Sequence, residues 1–144
     1  YLTNEITDHA INYLEEQNKT NKPFFLYMAF NAPHWPLQAL PEDIEKYKGR
    51  YSIGWDSLRN ERLAKQKTLG IANPEQSIAK RDSLVPAWTG LTYDEQKLWE
   101  TKMEVYAAML DRVDQSIGRV LEELKKLKKD DNTLILFIKR MMSK

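Results

Sequence analysis

A chain of 144 residues is about one domain's worth of polypeptide, and 42% hydrophobic with 30% charged residues reads as globular and not disordered. Its 22 basic and 21 acidic side chains leave a formal charge of +1, so no basic excess exists to neutralise phosphates and no nucleic-acid partner is expected. Cysteine is absent, which excludes disulfides and thiolate metal sites, and no apolar run approaches the roughly 20 residues of a membrane span, so no membrane partner is expected. Thr3 to Gln17 reads as a short amphipathic helix with Ile6, Ala10, Tyr13 and Leu14 on one face and Thr3 or Asn4 as its cap. Asn18 to Lys22 is a polar turn. Phe24 to Phe30 is apolar throughout and reads as a strand buried on both faces. Pro33 and Pro36 then restrict the backbone around His34 and Trp35, just past the carboxyl end of that strand, where ligands bind in open α/β sheets. Spacing alone leaves His34 open between a functional imidazole and a satisfied polar group on a stiff turn.

Pro41 suits the first turn of a helix through about Lys48, ended by Gly49. Gly54 to Leu69 is expected to be partly helical, closing at Gly70, and Ile71 to Gly90, with two prolines and no period, is expected to be loop. Thr92 and Glu95 have capping-box spacing at the start of a long helix running to about Lys129. Tyr106, Leu110, Val113, Ile117, Val120, Leu124 and Leu127 follow a 3-4 spacing along it. Lys125, Lys126, Lys128 and Lys129 suit the negative end of its dipole. Thr133 to Ile138 reads as a second apolar strand.

Two strands joined by a helical crossover imply an α/β fragment: part of a layered domain with a mostly parallel sheet flanked by helices, one of them long and amphipathic. Two strands alone do not make a stable sheet. A helix of Thr92 to Lys129 would run about 55 Å, whereas a compact globule of this chain length measures under about 40 Å across. Either the helix breaks or the chain is a piece of something larger, and the second is expected. No signal peptide is visible at Tyr1 and no initiating Met is present, which leaves the compartment open.

Lys22-Pro23-Phe24-Phe25-Leu26-Tyr27, followed by Asn31-Ala32-Pro33-His34-Trp35-Pro36-Leu37-Gln38, closely resembles the arylsulfatases, the type I sulfatases of the alkaline-phosphatase-like superfamily. The likeness continues through Pro41-Glu42-Asp43, Tyr47-Lys48-Gly49-Arg50-Tyr51, Gly54-Trp55-Asp56 and Leu58-Arg59. It resumes at Met103 to Met109, Asp111-Arg112 and Ile117 to Leu121, and so covers the chain to about Phe137. The resemblance implies that residues 1–144 are part of a sulfatase catalytic domain, without its nucleophile-bearing amino-terminal part and its carboxyl-terminal part. It implies sulfate-ester hydrolysis as the parent activity, with a sulfate-ester substrate. It also implies a formylglycine made from the Cys or Ser of a Cys/Ser-x-Pro-x-Arg motif, and a divalent cation, usually calcium, held by Asp and Asn side chains. His34 matches the family histidine that contacts the sulfate ester and helps protonate the leaving oxygen, and an imidazole can donate a proton or hydrogen bond near neutral pH. Trp35 is expected to pack on the loop or against substrate. Complete bacterial members are often periplasmic or secreted.

The sequence departs from that pattern. It has no Cys and no Ser-x-Pro-x-Arg. Lys139 to Lys144 stand where the family places a metal-binding Ser/Thr-Asp-Asn-Gly turn, and Asp131-Asn132 lies at the opposite end of the second strand. No metal ligand is therefore assigned, no cofactor is expected in this chain, and the chain alone is expected to be inactive. A catalytically dead sulfatase-like binding or assembly module is the alternative, with exposed strand edges that would favour self-association. A phosphoryl- or phosphonate-ester hydrolase is weaker, because two histidines supply few metal ligands. His9 reads as surface structure, Asp111 and Asp114 as solvated or locally bonded acids, and Asp56 with Arg59 as an i,i+3 ion pair near the substrate entrance in the family.

Overall fold

The structure is a computed structural model that describes residues 1–20 and 22–138. Its regular elements are α1 (Leu2–Asn18), α2 (Pro41–Glu45), α3 (Gly54–Thr68) and α4 (Tyr93–Lys126), with single 3₁₀ turns at Trp88–Gly90 and Asp130–Asn132. No strand occurs among the described residues, which corrects the expected α/β layering with a mostly parallel sheet. The physical reason lies in what the sequence pattern reports. Apolar runs record the need for burial, whereas a strand also needs a hydrogen-bonded neighbour, and neither Phe24–Phe30 nor Thr133–Ile138 has one. With no strand among the described residues, the expected strand edges are absent there too. The described residues form two compact units, Tyr1–Asn31 with the residues from Val113 onward, and Ala32–Arg112.

In the first unit, Ala10 and Leu14 of α1 meet Val120 and Leu124 of α4 in a buried cluster. Thr3, Thr7, Ala10 and Leu14 form the buried stripe of α1, so Ile6 and Tyr13 lie only half-buried beside it. The helix starts at Leu2, with Tyr1 at the cap position and no side-chain cap. Neither Thr3 nor Asn4 caps it; instead the Thr7 hydroxyl donates to the Thr3 carbonyl at 2.8 Å. Phe24, Leu26 and Met28 pack on the cluster, while Phe25 and Tyr27 are 86% and 80% exposed. This alternation is the two-residue period of an extended chain with one face covered. Residues 134–138 are all exposed.

In the second unit, Pro41 takes the first position of α2, which ends at Glu45 instead of Lys48 and gives way to successive turns. Gly54 opens α3 at φ +75°, and a Cβ there would collide with the Trp88 ring. Trp55 meets Trp88 and Trp99 edge-on at 4.8 and 6.0 Å between ring centroids. At the foot of α4, the Thr92 N–H donates to Glu95 Oε2 at 2.8 Å, and the Glu95 N–H donates to Thr92 Oγ1 at 3.3 Å. The Thr92 N–H and the Thr92 hydroxyl, which also donates to Glu95 Oε2 at 2.8 Å, hold the Glu95 carboxyl below the usual range. From this box α4 runs unbroken for 34 residues. Leu110 departs from the expected stripe and is 40% exposed, whereas Ala107, Ala108, Met109 and Val113 are buried.

A fully buried carboxylate ties α2 to α4. Asp43 Oδ2 accepts from Arg112 Nε at 2.6 Å, and Asp43 Oδ1 accepts from Lys46 Nζ at 2.9 Å. Lys46 also reaches Asp111 at 2.8 Å, and Arg112 reaches the exposed Glu42 at 3.0 Å. Removing one partner of a buried pair costs about 3–5 kcal/mol, against under about 1 kcal/mol for an exposed pair. Asp43→Asn is therefore expected to lower urea-unfolding stability by about 3 kcal/mol or more, and Glu42→Gln by under about 1 kcal/mol. Equal losses would refute the buried network. Leu124→Ala is expected to cost about 2–5 kcal/mol and Leu110→Ala under about 1 kcal/mol, whereas comparable values in the same unfolding experiment would restore the simple stripe.

Candidate active-site loop

The backbone from Ala32 to Leu40 leads directly into α2, and its Ala32–Pro33 and Trp35–Pro36 peptide bonds are both cis. His34 is exposed. Its Nδ1 lies 2.7 Å from the carbonyl oxygen of Trp35. A carbonyl only accepts, so Nδ1 must carry the proton in the neutral ring, and Nε2 keeps its lone pair. A second proton would go onto Nε2 and make it a donor. The loop thus fixes which nitrogen is spent on the backbone and which keeps its lone pair.

Trp35 is 63% exposed and does not sink into a core. Its ring centroid lies 6.0 Å from the Lys102 ammonium, which sits 4.2 Å from the Trp99 ring. Sequence reasoning missed Lys102 and Trp99. The signal was available: Trp99 and Lys102 stand three residues apart on a helix whose start was legible, so they share one face.

The remaining candidates fall into place as structure. His9 is exposed on α1. Asp111 is held by Lys46 and does not form a carboxylate pair with Asp114, which is exposed; Asp111 and Asp43 hold the Lys46 ammonium above its usual range. Asp56 does not pair with Arg59. Its Oδ2 accepts the Trp88 N–H at 3.0 Å and its Oδ1 accepts from Arg81 at 2.9 Å, contacts that hold its carboxyl below the usual range. Arg59 instead donates to the Ala79 carbonyl at 2.7 Å. Lys126 is satisfied by Glu123 and Glu15.

Neither cofactor that the resemblance implies fits the residues present. Formylglycine needs a Cys or a Ser in a motif this sequence lacks. Among the described residues, no group of three His, Cys, Asp or Glu side chains is placed to hold a metal ion. Lys139–Lys144, at the position of the family's metal-binding turn, lie outside the described residues. No described helix is long and apolar enough to cross a membrane.

Residues 1–138 match the sulfatase family. An uncharacterized sulfatase of Schizosaccharomyces pombe is 44% identical over 140 residues, covering 96% of this chain and 25% of that protein. The arylsulfatase of Klebsiella aerogenes is 35% identical over 138 residues, covering 96% of this chain and 30% of its own length. An N-acetylglucosamine-6-O-sulfatase of Bacteroides thetaiotaomicron is 27% identical over an alignment that covers 95% of this chain and 32% of that enzyme. The chain thus spans about a quarter to a third of the length of these relatives. With the match running through the His34 loop and on along α4, this chain belongs to the sulfatase family and forms part of its catalytic domain.

Proposed function

We propose that this chain is the histidine-bearing segment of a sulfuric ester hydrolase, in which His34 donates a hydrogen bond to the sulfate ester and protonates the leaving oxygen. The observation that carries this reading is the Nδ1–carbonyl bond of an exposed imidazole, in a loop whose wording follows the family. With Nδ1 committed to the Trp35 carbonyl, the mobile proton belongs to Nε2. As the S–O bond breaks and charge builds on the leaving oxygen, the imidazolium Nε2–H supplies the proton and the neutral ring is left behind. Trp35 offers an exposed indole face beside that nitrogen's loop, suited to an aryl or sugar ring. Aryl and sugar sulfates both fall within the class, in keeping with the names of the relatives.

The nucleophile and the calcium site would be supplied by polypeptide outside this segment, so the 144-residue chain by itself is inactive. A second reading, a sulfatase-like module kept for binding, is favoured by one observation: Phe25, Tyr27 and Leu134 to Ile138 present apolar side chains to solvent.

With 4-nitrophenyl sulfate and calcium, the pure chain is expected to release no 4-nitrophenol above the buffer rate; calcium-dependent turnover would overturn the proposal. In a complete sulfatase polypeptide that contains this segment, His34→Ala is expected to lower kcat by about 10²-fold or more, in the range of a lost general acid. The loss should be smaller for substrates with acidic, easily departing phenols than for alkyl or sugar sulfates. A uniform loss across leaving groups would remove the proton-donor role.

A further inference from the structure

An open groove of about 430 Å³ lies between α3 and the loop that follows it, and it shares no residue with the His34 loop. Arg59, Arg62 and Gln66 line it from α3, and Asn73, Gln76 and Ser77 from the loop. Its apolar patches come from Leu63, Ile71 and Ile78, and no Asp or Glu lines it. The loop is fastened to the helix by the Ile71 and Ala72 N–H groups, which donate to the Gln66 carbonyl at 2.9 and 3.2 Å, and by Arg59, which donates to Ala79.

Its chemistry is one-sided. Arg62 is exposed and makes no ion pair among the described residues. Asn73 uses its side-chain oxygen to accept the Glu75 N–H at 2.9 Å, which leaves its amino group as a donor. Arg59 and Arg62 are the charged side chains that line the groove, and both are basic. Two guanidiniums in a groove that no acid lines favour an anion, and a guanidinium fork matches the paired oxygens of a sulfate or carboxylate. Side-chain amides and a hydroxyl pair with ligand hydroxyls, and three aliphatic side chains suit the apolar face of a ring. The volume falls within the range of small-molecule sites.

We propose that this groove binds a small acidic sugar, with Arg62 as the principal anchor of its sulfate or carboxylate group and the amides of Gln66, Asn73 and Gln76 reading its hydroxyls. The assignment is independent of the hydrolase reading, since it needs neither His34 nor turnover.

The test is a titration of the ¹⁵N-labelled 144-residue chain with glucose 6-sulfate, glucuronate and glucose, followed by NMR. At least one of the two anions is expected to shift signals of residues 59–79 saturably and to leave His34 unmoved, with glucose giving no saturable shift. The tighter anion identifies the acid group. Arg62→Ala should weaken that anion about tenfold, and Arg62→Lys, which keeps the charge but loses the fork, by less. Both variants replace an exposed side chain, and an unchanged spectrum away from the groove establishes that they fold. Absence of a saturable shift with either anion, an equal response to glucose, shifts centred elsewhere, or an Arg62→Ala variant that binds as before would each overturn the assignment.

Discussion

A carboxylate sealed from water between a guanidinium and an ammonium organises the unit that carries the histidine. Asp43 sits in α2, the element entered directly from the His34 loop, and its two cationic partners lie on α4 and just beyond α2 itself. Burying an isolated carboxylate would be prohibitive, and Arg112 and Lys46 both reach this one. Glu104 reinforces the same alignment by accepting the Gly49 N–H at 2.7 Å in the turns that follow α2. The loop is therefore followed, at its carboxyl end, by an element held in place by charge pairing. Its two prolines and the Nδ1–carbonyl bond then set the imidazole locally.

The aromatic cluster does the complementary work. Gly54 lets the Trp88 ring approach the start of α3, Asp56 accepts the Trp88 N–H, and Trp55 bridges Trp88 to Trp99. Lys102 then lies over Trp99 with the Trp35 ring at the edge of its reach. A Gly-Trp-Asp string that reads as a family marker in sequence is, physically, the device that locks a proline-containing loop onto the helices.

Legibility followed how local each interaction is. The capping box at Thr92 and Glu95, the stop at Gly70 and the proline at the head of α2 depend on neighbours within a few residues, and all three stand where the sequence places them. The Asp43–Arg112 pair joins residues 69 apart, and nothing in composition or period announces which acid will be buried. Leu110 shows a related failure: a 3-4 spacing identifies a stripe, but which side of it turns inward depends on what packs there. Phe24–Phe30 shows the largest one. Its apolar run registers a demand for cover on both faces, while the described residues cover one. The likeness of Asn31 to Gln38 identified the family, but the sequence could not say that the Trp35 carbonyl would claim Nδ1 of His34.

The run Leu134-Ile-Leu-Phe-Ile138 has a practical consequence. It is uncharged, free of proline and glycine, rich in residues that favour pleated stacking, and open to solvent along its whole length. Those are the attributes of a cross-β template, able to recruit the same run from other molecules in register. In the isolated polypeptide this run is the segment expected to seed fibres, faster as concentration rises.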